Sequence, residues 1–112
     1  MRAETLKGHL DGLLLATLTD GERHGYAVAQ ALRDGSGGLV DLPSGTIYPA
    51  LRRLERLGLI DGRWSEVGGR RRRSYRLTPA GHRALEDERS SWATFAGAVS
   101  ALLGTGPLAA PS

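Results

Sequence analysis

Apolar side chains at positions 6, 10, 13, 14 and 18 keep the i, i+3/i+4, i+7 spacing of a helix with one buried face, so residues 5–19 are expected to be helical. Asp20-Gly21 ends that pattern. A second, shorter helix is expected over residues 24–33, starting at His24, with Tyr26, Val28, Ala29 and Leu32 on its buried side. Gly35-Ser36-Gly37-Gly38 then breaks the chain with a loop, and Leu39-Val40-Asp41-Leu42 is read as a strand stub. A third helix begins near Pro43-Ser44 and runs to about Leu57 on the stripe Ile47, Ala50, Leu51, Leu54 and Leu57, with Gly58 as its stop. Pro49 lies early in this helix. If Thr46 is the N-cap the proline costs no hydrogen bond, and if Ser44 is the cap one bond is lost; both starts remain open.

The period then changes from helical to alternating. Residues 59–66 and 72–77 place Ile60 and Trp64 on one face and Tyr75 and Leu77 on one face, and Gly68-Gly69 lies between them, which is the pattern of a hairpin. Thr78-Pro79 is an N-cap followed by proline at the first helical position, so a last helix is expected from there to Leu103, where Gly104-Thr105-Gly106-Pro107 stops it. The expected fold is mainly α with a small β-hairpin. Residues 1–78 form a winged helix-turn-helix, residues 79–103 a C-terminal dimerisation helix, and residues 104–112 a disordered tail.

With 112 residues, 40% of them hydrophobic, the chain has the size and composition of one small globular domain. No run approaches the ~18 apolar residues of a membrane span, and residues 1–5 lack the apolar stretch of a signal peptide, so a cytoplasmic protein without a membrane partner is expected. The absence of cysteine removes disulfides and thiol chemistry. His9, His24 and His82 have no metal-ligand spacing, and the glycine-rich loop lacks the lysine of a P-loop. Neither an enzyme, a cofactor nor a metal is expected.

Charge narrows the class further. Nine arginines and three acids lie between Arg52 and Arg76, a local charge of +6, whereas the remaining residues sum to −3. So lopsided a chain invites a polyanion. On the third helix Ser44, Tyr48, Arg52 and Arg56 fall along one i+4 row away from the apolar stripe, with Thr46 and Arg53 beside them. A bland solvated face would accommodate the arginines but gives Tyr48 no role. Near a recognition helix's N-terminus such groups reach base edges, and later basic residues meet phosphates. Arg70, Arg71, Arg72 and Arg73 sit at the hairpin tip, where they can reach phosphates or a minor groove. Double-stranded DNA is the expected partner. The alternative is a winged-helix protein-interaction module that never meets DNA, for which a neutral or acidic third helix is expected. RNA binding lacks stacking platforms, with six aromatics in all.

These residues carry a resemblance. His24-Gly25-Tyr26, the stretch Gly45-Thr46-Ile47-Tyr48-Pro49-Ala50-Leu51-Arg52-Arg53-Leu54-Glu55 leading into Gly58-Leu59-Ile60, and Gly69-Arg70-Arg71 before Tyr75-Arg76-Leu77-Thr78-Pro79-Ala80-Gly81 resemble the PadR family of transcriptional regulators. The likeness spans about residues 10–103, and the Gly-Thr-Ile-Tyr-Pro-Ala-Leu stretch is its specific part. It implies a homodimeric bacterial DNA-binding protein, usually a repressor, of the subfamily with a single short C-terminal helix. Tyr48 and its neighbours would then fall on the recognition helix and Arg70 to Arg73 on the wing.

The last helix points to a dimer independently. Leu85, Trp92 and Val99 recur every seven residues, and Phe95 and Leu102 take the complementary position, an a/d stripe that Glu88 interrupts. Folding back on the first helix is the alternative, and the two are compatible. Trp92 and Phe95 on that seam, with Glu86, Asp87 and Glu88 a turn earlier, suggest a site for a small aromatic effector, preferably cationic. A packing anchor is the commoner role of an interface tryptophan.

Overall fold

The computed structural model describes residues 8–104. In chain order these form α1 (Leu10–Ala16), β1 (Arg23–His24), α2 (Gly25–Gly35), α3 (Ser44–Arg56), β2 (Ile60–Val67), β3 (Arg70–Leu77) and α4 (Pro79–Leu103). The tail expected to be disordered lies outside the described residues beyond Gly104, as do positions 5–7 of the first expected helix. Among the described residues no helix is long and apolar enough to cross a membrane.

The first helix is shorter than its periodicity predicts. Beyond Ala16 the backbone tightens into turns in which Leu18 N–H donates to the Leu15 carbonyl and Thr19 N–H to that of Ala16. The hydroxyls of Thr17 and Thr19 donate to the carbonyls of Leu14 and Ala16 at 2.6 and 2.8 Å. Threonine hydroxyls that compete for helix carbonyls in this way favour an early end. Of the expected stripe, Leu14 and Leu18 are buried and Leu10 and Leu13 pack against the core, although the helix stops before Leu18; Leu6 lies outside the described residues.

Before α2, His24 acts as N-cap: its Nδ1 accepts the Ala27 N–H at 3.3 Å. Tyr26, expected on the buried side, is exposed and stacks beside His24 with ring centroids 6.3 Å apart. The strand stub expected at residues 39–42 does not form. Val40 N–H is instead taken by the Ser36 hydroxyl at 2.8 Å, which leaves no ladder, while Val40 and Leu42 plug the core as an irregular segment. The strand that does form is β1, at positions with no strand signature.

Neither expected cap starts α3. Its cap is Pro43, whose carbonyl accepts from Thr46 and Ile47 N–H at 2.9 and 3.1 Å. Pro49 therefore lies in the helix's second turn, where one intrahelical bond is lost. Ile47, Ala50, Leu51 and Leu54 lock α3 onto the core, and truncating Leu51 or Leu54 to alanine would cost about 2–5 kcal/mol. Leu57, assigned to the same stripe, is exposed as the C-cap residue beyond the last turn.

The sheet is antiparallel in the order β1-β3-β2. Val67 pairs with Arg70, so Gly68 and Gly69 alone make the turn, with φ of 60° and 76°. Two successive positive φ values are those of the type I′ turn that suits a twisted hairpin, and glycine adopts them without strain. Thr78 caps α4 as expected: its Oγ1 accepts the Gly81 N–H at 3.0 Å and donates to the Gly58 carbonyl at 2.7 Å. Gly104, in the left-handed region, ends the helix.

Candidate nucleic-acid interface

Because the apolar stripe of α3 faces the core, its helical repeat turns Tyr48, Arg52 and Arg56 outward along one row. Facing them is the β2–β3 hairpin, and between the two lies an open cleft of about 890 Å³. Tyr48, Arg52, Arg56 and all four arginines at positions 70–73 line it, as do His24, Tyr26, Glu55, Trp64 and Tyr75, which sequence reasoning did not assign to the site. Ser44, Thr46 and Arg53 lie on α3 outside this lining. Arg53 is instead paired with Asp11 of α1.

Tyr48 is held by a contact invisible in sequence. Its ring rests against the α carbon of Gly25 at the start of α2, so closely that any β carbon there would collide with it. Glycine at this position leaves room for the phenol, which lines the cleft.

The carboxylates sort the arginines. Arg53 pairs with Asp11, Arg63 with Glu22 at 3.1 Å, Arg76 with Asp61 at 4.0 Å, and Arg73 with Glu55. Arg52, Arg56, Arg70, Arg71 and Arg72 have no carboxylate partner among the described residues, and all five line the cleft. Five arginines free of carboxylates are thus gathered where α3 and the hairpin face each other.

Within the cleft Trp64 pairs with Arg73 across the hairpin. The guanidiniums of Arg71 and Arg73 lie over its ring, 4.6 and 5.2 Å from the centroid. Arg73 turns its other edge to Glu55: Nη2 donates to Oε2, and Nε reaches Oε1 at 3.4 Å. That hydrogen bond holds the Arg73 pKa above its ordinary value. Burial raises the pKa of Tyr75, and the Arg73 charge opposes the shift. His24 is shifted down, chiefly by burial and then by the Arg72 charge, which agrees with an Nδ1 that accepts a hydrogen bond.

The C-terminal helix has two regimes. Its first half packs on α1, so Leu85, expected at a dimer seam, belongs to the chain's own core at 3% exposure. Glu88 lies on Gly12 of α1, where a β carbon would run into its side chain, and this accounts for the interruption of the stripe. Trp92 and Phe95 are more than half exposed, Leu102 more so, and Val99 is half-buried. His9 meets Trp92 edge-on at 5.5 Å, Trp92 and Phe95 are 5.8 Å apart, and the groove of about 500 Å³ between α1 and α4 is apolar apart from Glu88, Arg89 and His9.

Three helices followed by a two-stranded wing define a winged helix-turn-helix protein. Residues 14–87 match the Transcriptional regulator PadR-like family, and the chain belongs to it, a family of regulators and not of enzymes. It is 43% identical over 77 residues to a transcriptional regulator of Mycobacterium tuberculosis, covering 68% of each chain. A PadR family transcriptional regulator from Eggerthella lenta superposes with a TM-score of 0.78 at 33% identity, over 93% of this chain and 89% of that one. Bacillus subtilis PadR, solved in complex with operator DNA, gives a TM-score of 0.65 at 29% identity, over 70% of this chain and 45% of the other.

Proposed function

We propose that this regulator is a sequence-specific DNA-binding repressor that acts as a homodimer, with α3 in a major groove and the wing on the adjoining backbone. The observation that carries the reading is the gathering of five arginines without carboxylate partners, Arg52, Arg56, Arg70, Arg71 and Arg72, in one cleft between α3 and the wing. The operator complex of the Bacillus subtilis relative supports it. Tyr48 and Arg52 serve as base-reading groups, an arginine on guanine being worth about 1–3 kcal/mol of discrimination. Arg56, Arg70, Arg71 and Arg72 serve as phosphate contacts. The outer half of α4, with Trp92, Phe95 and Leu102 exposed, is assigned to a second copy of the chain. The α1–α4 groove, with Trp92, Phe95 and Glu88 in its lining, is assigned to a small aromatic effector.

The test compares two substitutions. Arg71→Ala should weaken binding to every duplex alike and lower the salt slope by about 1 for the lost phosphate contact. Tyr48→Ala should erode the preference for operator over random DNA. If only the wing substitution altered sequence preference, the roles would be reversed.

A further inference from the structure

We propose that Glu55, Arg73 and Trp64 form a strut that fixes the wing at a set angle to α3, that Glu55 is its positioning residue, and that operator discrimination depends on it. The proposal rests on the DNA-binding reading above.

Glu55 is the single acid in α3. On a helix that meets phosphates a free carboxylate opposes binding. This one is not free. Both of its oxygens are engaged by one guanidinium eighteen residues further along the chain, and each side chain of the pair is only 28% exposed. A two-point arginine–carboxylate pair fixes orientation as well as distance, which a single contact between flexible side chains does not. The far side of Arg73 is held over the Trp64 ring, which also carries Arg71.

Gly62 supplies independent evidence that the space was left for this pair. A β carbon there would come within 2.8 Å of Arg73 Nε and 2.9 Å of Glu55 Oε1. The bare backbone of β2 is what lets the carboxylate and guanidinium meet beneath the wing. Arg73, grouped by sequence with the phosphate-binding arginines, therefore acts through Glu55. Its neighbour Arg71 is splinted on Trp64 and presented to the cleft.

Two variants test the strut, each measured for affinity to the duplex that the wild-type chain enriches from a random pool (taken as operator), for random-duplex affinity and for salt slope, with thermal melting to show that it is folded. Glu55→Gln removes a negative charge; a merely solvated acid would on removal tighten binding to all DNA. The strut predicts instead that the operator-over-random preference falls about tenfold, the scale of one mis-set base contact, while random-duplex affinity holds or rises. Gly62→Ala changes no charge and displaces only the ends of two flexible side chains, so the fold survives. It should lose the same preference at an unchanged salt slope. Preference retained in both variants overturns the strut and leaves the DNA-binding reading standing. A wild-type chain with no preference for any duplex overturns that reading, and the strut's role with it.

Discussion

His24 does two jobs at one position: its ring caps α2 and its backbone pairs with Ser74 in the sheet. Capping requires an unprotonated Nδ1, and burial with Arg72 nearby already keeps the pKa below the ordinary value of about 6.5. The unfolded chain therefore binds the proton more readily. The stability His24 contributes is complete above about pH 6.5 and is lost as acid protonates the ring. Melting temperatures at about pH 7.5 and about pH 5 should fall further for wild type than for His24→Asn, in which a good cap that does not titrate replaces the imidazole. Equal falls would contradict the capping role. Residue types were legible in the sequence to the extent that charge and helical spacing report them: Tyr48, Arg52, Arg56 and the arginines at 70–73 all reach the cleft. The partners were not. Gly25 under Tyr48, Gly62 under the Glu55–Arg73 pair, and Asp11 on Arg53 are contacts between segments far apart in the chain, and no local pattern encodes them.

Elements with strong local signals were read correctly. The hairpin's glycine pair, the Thr78-Pro79 start and the Gly104 stop of α4 each impose a backbone conformation by themselves. Strand β1 has no signature because two residues carry no alternation, and their partners Tyr75 and Ser74 lie far along the chain. The 39–42 segment was misread because apolar residues that plug a core look, over four positions, like a strand. The outer half of α4 carries the element-scale predictions. Replacing Trp92 and Phe95 with glutamate should give monomers by sedimentation at micromolar concentration, and a monomeric wild type would sink the dimer proposal. Titrating planar aromatic cations against wild type, Trp64→Phe and Trp92→Ala separates the two tryptophans. Binding should persist in Trp64→Phe and vanish in Trp92→Ala; persistence in an intact Trp92→Ala dimer would exclude the groove between α1 and α4.

At the scale of the molecule, charge and symmetry act together. The cleft concentrates positive charge on one side of a chain whose residues outside positions 52–76 sum to −3, which orients the protein on a polyanion before any base is read. A two-fold dimer would present two such clefts, so its binding site should be pseudo-palindromic, with half-sites about 34–36 Å apart or a multiple of that. Selection of duplexes from a random pool at near-physiological salt measures this directly. Enrichment of one pseudo-palindrome with half-sites about one helical turn, or a whole number of turns, apart is the predicted result. A folded protein that enriches no sequence, or only single unpaired half-sites, would contradict the account.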